Sequence, residues 1–170
     1  IKAAEELARQ LARDAVEMVR AAIARAVADN PYLPKDIAKR IAHDVESISV
    51  PFLEVSEVFD DAALAQLVVT LSESARAAVA RRERVSAPLC QRLREVGGRA
   101  TAHALAANPG ASLGEVGVRN ICERFEDSHH ILEAMAARDQ IPLDVVETLV
   151  ARVSSEAWKR LMARYDMPDF

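Results

Sequence analysis

At 170 residues the chain is long enough for one or two domains with a real core. Hydrophobic residues make up 51% of it but aromatics only 4%, and 5 glycines argue against a β-rich fold with many tight turns. A formal charge of −4 speaks against a generic nucleic-acid or anionic-membrane binder, and no apolar run approaches the ~20 residues that span a bilayer.

In chain order, residues 2–29 read as an atypical first helix pair with a break near Asp14, closed by a linker at Asn30-Pro31. After it, short motifs that open a helix recur: Leu33-Pro34-Lys35-Asp36, Phe59-Asp60-Asp61, Val85-Ser86-Ala87-Pro88, Ala111-Ser112-Leu113-Gly114-Glu115 and Ile141-Pro142-Leu143-Asp144. Their first positions lie 26, 26, 26 and 30 residues apart, so one register holds with a four-residue insertion in the fourth unit.

Each unit repeats its apolar chemistry. Eight residues after the unit start stand Ile41, Leu67 and Leu93, with Leu149 in the fifth unit. Twenty residues after it stand Leu53, Val79, Leu105 and Leu161, with Met135 once the insertion is counted. Apolar pairs at i and i+4, such as Ile37 with Ile41 and Leu89 with Leu93, predict one buried stripe per helix.

Prolines and caps agree with that register. Pro34, Pro142 and Pro168 follow a unit start by one residue, Pro31 and Pro109 sit in linkers, and Pro51 and Pro88 fall in expected first turns. Ser112 with Glu115 reads as a capping box, and Asp36, Asp61 and Asp144 place negative charge at helix N-termini.

Helices of about ten residues are too short to stand alone, so they must bury their stripes against neighbouring pairs. The expectation is an all-α fold, an α-solenoid of about five to six stacked two-helix HEAT-like repeats. As one domain over 1–170 it divides into an N-terminal pair at 1–32, repeats at 33–58, 59–84, 85–110, 111–140 and 141–166, and the start of a further repeat at 167–170. The first residue is not Met, and Met167-Pro168-Asp169 repeats the unit-start signature, so the natural protein is expected to continue beyond this chain.

The stretch Ile41-Ala42-His43-Asp44, followed by Val50-Pro51-Phe52-Leu53, resembles an alphaproteobacterial family catalogued as domain of unknown function 2336. Leu105-Ala106-Ala107-Asn108-Pro109-Gly110-Ala111 carries the same resemblance, which runs over roughly residues 5–165. It implies a bacterial HEAT-like helical-repeat protein and supplies no active-site residues.

Catalytic and metal-binding patterns do not emerge. His129 and His130 are adjacent and diverge by about 100° on a helix, while His43 suits a helix C-terminus and His103 has no ligand partner at a known spacing. Ser72, Ser74, Ser154 and Ser155 fall at inter-helix turns, where serine is an ordinary N-cap, and Gly97-Gly98 reads as a tight connection between helices. Cys90 and Cys122 are far apart and form no disulfide framework, which suggests a reducing, cytoplasmic setting. No cofactor and no metal are expected.

Charge layout is the feature that points to function. Asp44, Glu46, Glu54, Glu57, Asp60 and Asp61 form an acidic block without a base. Arg76, Arg81, Arg82, Arg84, Arg92, Arg94 and Arg99 follow against Glu83 and Glu95. Equivalent positions at the end of each second helix give a column of Asn30, Ser56, Arg82, Asn108, Arg138 and Arg164, a possible ladder for an acidic peptide or a phosphate. Arg and Asn also cap helix C-termini, which is the plainer reading.

A non-enzymatic protein-interaction module with one or more protein partners is therefore expected. Its candidate binding residues are Arg76, Arg81, Arg82, Arg138 and Arg164, and its candidate acidic patch is Glu46, Glu54, Glu57, Asp60 and Asp61. A sensor for a small anion such as a nucleotide, held by the arginines, is the alternative, and a HEAT-like enzyme acting on nucleic acid ranks third. Opposite charge blocks also suggest a homo-oligomer whose assembly weakens with salt.

Overall fold

The computed structural model describes residues 2–150, 153, 159, 163 and 164, with side chains from residue 14 onward. Among the described residues the chain is all-helical, with ten α-helices and no strand. It divides into two compact units, residues 1–60 and 61–170, the division falling beside the predicted unit start at Phe59. Leu161, Ser154, Ser155 and Pro168, singled out in the sequence, lie outside the described residues.

The first unit holds α1 (Lys2–Val27), α2 (Lys35–Ala42) and α3 (Glu46–Val55). α1 runs through Asp14 without the expected break, as an Ala-rich stretch with no Gly or Pro favours. It packs on α3, which also packs on α2. α2 buries Ala38 and Ala42 instead of the expected Ile37–Ile41 stripe, and Ile37 is exposed. His43 caps α2 as its sequence position suggested, with Nδ1 donating to the Lys39 carbonyl at 2.8 Å.

Pro51 is a second departure. It lies inside α3, not in its first turn, because the helix already starts at Glu46, directly after the Asp44–Val45 turn. The proline ring removes one helical donor there, yet Ile48, Phe52 and Leu53 stay fully packed around it.

Arg20 of α1 forms a two-pronged pair with Asp44 after α2, through Nε at 2.9 Å and Nη2 at 3.0 Å. Asp44 also accepts the Val45 amide at 2.8 Å. The bond from Arg20 holds the Asp44 carboxyl below the usual carboxylate range. A depressed folded pKa adds stability above the unfolded value near ~4, and that stability is lost as pH falls through the folded value. Asp44→Asn should therefore melt below the wild type at pH 6, and the gap should close below about pH 4. Thermal melts across that range check it.

Among its described residues the second unit contains three helix pairs and one further helix. These are α4 (Asp61–Leu67) with α5 (Glu73–Ala80), α6 (Ala87–Val96) with α7 (Arg99–Ala107), α8 (Gly114–Arg124) with α9 (His129–Ala136), and α10 (Leu143–Val150). Within this unit α6 lies between α4 and α8, and α10 packs on α8, so the first helices form one row. α7 lies between α5 and α9, forming the other.

The closeness of α5 and α7 follows from composition. Ala75, Ala77, Ala78, Val79 and Ala80 of α5 are buried, as are Ala102, Ala104, Leu105 and Ala106 of α7. Small side chains let the backbones approach.

The predicted columns are core except at Ile41, which is half-buried, and at Leu161, which lies outside the described residues. Leu53, Val79, Leu105 and Met135 are wholly buried, as are Leu93 and Leu149, and Leu67 is nearly so. Pro88 sits in the first turn of α6, Ser72 caps α5 by accepting the Ala75 amide, and Gly97-Gly98 joins α6 to α7 directly.

The fourth unit starts differently from its predicted capping box. α8 begins at Gly114, with Leu113 as N-cap and no side-chain cap bond from Ser112. A short extended bridge is the reason: the Val85 amide donates to Gly110 O, and the Ser112 amide donates to Val85 O at 2.9 Å. Those bonds hold Ala111 in the bridge after the turn at Pro109-Gly110, and the helix starts only at Gly114, whose φ is +62°.

Candidate functional site

The arginines expected to bind a ligand mostly bind the protein's own backbone. Arg76 donates from Nε to Val68 O at 2.7 Å, from Nη1 to Val96 O and from Nη2 to Val69 O, both at 3.0 Å. It thereby ties the α4–α5 turn to the end of α6.

Arg138, just past α9, reaches over the end of α7. Its Nη1 donates to Leu105 O, Ala106 O and Asn108 O, the last at 2.7 Å, and its Nη2 donates to Ala111 O at 2.7 Å. Half-burial lowers its pKa from the ordinary value without discharging it.

Three members of the column, Asn108, Arg138 and Arg164, reach from one helix pair to the preceding one. Asn108 donates its amide to Ala80 O at 2.8 Å and Arg82 O at 2.7 Å, closing the end of α5. Arg164 donates to Arg138 O and lies 3.5 Å from Asp139. Ser56, in the first unit, is buried. The helix-capping reading fits Asn108 and Arg138, because each reaches carbonyls that a helix end cannot satisfy internally.

The opposite ends of α5 and α7 are joined by a residue that the sequence reading did not single out. Glu73, in the first turn of α5, accepts the Gly98 amide at 2.8 Å and the Thr101 amide at 2.9 Å. Its carboxylate therefore caps the N-terminus of the next second helix. The signal was present as an acid beside Ser72 whose partner lay about 26 residues on, one repeat away.

Much of the remaining basic block is also engaged. Arg92 pairs with Glu95 at 2.8 Å and Arg99 with Asp127 at 2.6 Å, whereas the Nε of Arg94 is buried without a hydrogen-bond partner. Arg81 is exposed beside a hollow over α7, and Arg82 is half-buried at the end of α5. Of the acidic set, Glu46, Glu57 and Asp60 are exposed and Glu54 is half-buried in the first unit, whereas Asp61 opens α4 in the second.

Two hollows adjoin along the second-helix row of the second unit. One, about 500 Å³, is lined by Arg81, Ala100, His103, Ala104, Ala107, Asn108 and Pro109. The other, about 540 Å³, continues from Ala107 and Pro109 over Ala134 and Ala137 to Arg138, Asp139 and Gln140. Both are floored largely by alanine. His103 entered the sequence reading only as an isolated histidine, and no linear pattern placed it beside Arg81.

Cys90 and Cys122 are buried, and burial pushes their thiols up to about 11 and about 12, so neither is a reactive thiolate at neutral pH. Among the described residues no three His, Cys, Asp or Glu side chains are grouped to hold a metal ion, and no helix is long and apolar enough to cross a membrane.

The class defined by this geometry is an all-helical protein whose second unit sets short helix pairs side by side and caps them from pair to pair. The chain belongs to the bacterial family described as "Uncharacterised protein conserved in bacteria (DUF2336)", whose profile matches residues 48–169. No curated protein and no solved structure matches it.

Proposed function

We propose that the chain is a non-enzymatic protein-interaction module, an α-solenoid of HEAT-like helix pairs that holds a segment of a partner protein against its second-helix row. The observation that carries this reading is the pair of adjoining hollows that share Ala107 and Pro109 across α7 and α9. A groove at the seam of packed helices, with small side chains on its floor, suits entry of a partner's side chains. The order of the row supports it too, since Glu73, Asn108 and Arg138 fix both ends of neighbouring helices and hold the groove in one shape. Two buried, reduced cysteines suit a cytoplasmic setting.

The test is to fill the groove. Ala107 is exposed, so Ala107→Trp should fold with an unchanged melting temperature while blocking both hollows. Affinity capture from a native lysate should yield a protein retained by the wild-type chain and lost by the variant. Equal retention by both baits would refute this surface.

A further inference from the structure

The large apolar side chains that remain in water gather on one helix of the first unit. Val16, Met18, Val19 and Ile23 are exposed by 54%, 72%, 59% and 55%, and all four lie on α1. Among the described residues no other helix carries more than one exposed large apolar side chain. Single ones are ordinary on a protein surface, whereas a contiguous patch marks a contact.

The other side of α1 is already used. Ala24 is buried and Glu17, Arg20, Ala21 and Val27 are half-buried on the side toward α3. At 100° per residue the exposed positions Ala15, Val16, Met18, Val19, Ala22, Ile23 and Ala26 fill the opposite arc, with Arg25 at its margin. Along the middle of that arc Ala15, Val19, Ala22 and Ala26 are spaced by 4, 3 and 4 residues, the interval of a seam between paired helices. Three of these four are alanine, which lets a second backbone come close. α1 is also 26 residues long against 10 for α3, so α3 flanks less than half of its length.

We propose that two copies of the chain pair through α1, antiparallel, with this face as the seam. The spacing asks for a helix, and α1 of a second copy is a helix with the same uncovered face, so one two-fold contact covers both. Size agrees with this occupant. The exposed side chains amount to roughly 500 Å² per copy, and burying two such faces takes about 1,000 Å² out of water, the lower bound for a specific interface.

Direction follows from the two edges of the face. Val16 and Ile23 form one edge, and Met18 with Arg25 forms the other. A two-fold axis across the helices sets like edges together, so Val16 meets Ile23 of the second copy. An axis along the helices would set Arg25 against the apolar edge instead. Opposed helix dipoles favour the same antiparallel choice. This pairing is separate from the groove of the second unit, and it differs from association through opposite charge blocks because salt does not weaken an apolar seam.

Sedimentation velocity of the whole chain tests it, over a concentration series in about 0.1 M and about 1 M sodium chloride. The chain should pass from monomer to dimer as concentration rises, and the higher salt should not reduce the dimer. Val19→Glu and Ile23→Glu alter exposed positions, so each should melt like the wild type at high dilution. Each should raise the dimer dissociation constant at least roughly tenfold, since the carboxylate would be buried in the seam. The second variant keeps the test open if the first disturbs α1. Mild oxidation reads the direction, and the native Cys90 and Cys122 are buried. Val19→Cys, beside the two-fold axis, should cross-link two copies, whereas Ala26→Cys, its two copies about 20 Å apart, should not. A monomer at every concentration, a dimer that salt dissolves, or a dimer indifferent to both glutamates overturns the pairing, and equal cross-linking at the two positions overturns its direction.

Discussion

Gly110→Ala should be among the most destabilising single substitutions in the second unit, costing about 3 kcal/mol. A Cβ at this position would stand 1.9 Å from the Glu83 carbonyl oxygen and 3.0 Å from its carbon, and both atoms are backbone. No rotamer relieves such a clash, so the two segments must part. Parting them also breaks the bridge in which Val85 donates to Gly110 O and accepts from the Ser112 amide, two bonds worth about 1 kcal/mol each.

Gly114→Ala makes the comparison informative. Nothing lies within 4 Å of a Cβ there, but φ is +62°, so the cost is conformational and should be about 1 kcal/mol. Chemical denaturation of both variants checks the pair. Similar losses at the two positions would mean that close backbone approach at Gly110 is not what holds this corner.

Arg138→Ala should cost a comparable ~3 kcal/mol, as expected for one charged donor serving four carbonyls at a half-buried site. Hydrogen bonds to charged groups are individually worth about 1.5–3 kcal/mol, but four through one guanidinium do not add, and water replaces part of them. Arg138→Lys should recover only part of the loss, since an ammonium is a point donor and cannot span Asn108 O and Ala111 O as the planar fork does. Denaturation midpoints order the three proteins. Wild-type stability in Arg138→Ala would show that these carbonyls are equally content with water, and the capping role would fall.

Both variants bear on function through shape. Arg138 lines the second hollow and Gly110 closes the turn after α7, so each loosens the edge that the proposed partner would meet. Ala107→Trp and His103→Glu are the cleaner probes of binding because they change the groove's exposed lining without removing a cap.

Much of this architecture was legible in the chain itself. Leu93, Leu105, Met135 and Leu149 recur at the repeat interval, and all four are wholly buried, because a periodic apolar residue on a short helix has nowhere to go but the neighbouring pair. Pro88 and Gly97-Gly98 mark helix boundaries for local reasons, a missing donor and a missing side chain, and local reasons are readable one residue at a time. The family resemblance rested on such signatures, and the profile match over residues 48–169 bears it out as a bacterial family.

What the sequence determined, then, is the all-helical class, the places of most helices and the apolar columns of the core, all set by propensity and periodicity within a few turns of chain. What the tertiary structure decided is the use of each polar group, since its partner lies one repeat away and no local pattern names it. Ser112 failed to cap α8 because Val85, 27 positions back, held the chain extended. Arg76 and Arg138 stood as candidate binding residues by charge alone, and folding brings a backbone carbonyl within 2.7 Å of each. Glu73 passed unremarked until it met the start of α7, and Arg81 and His103 came to line one hollow only once α5 and α7 lay side by side. A charged side chain takes its meaning from the nearest unsatisfied group, and in an array of short helices that group belongs to the neighbouring pair.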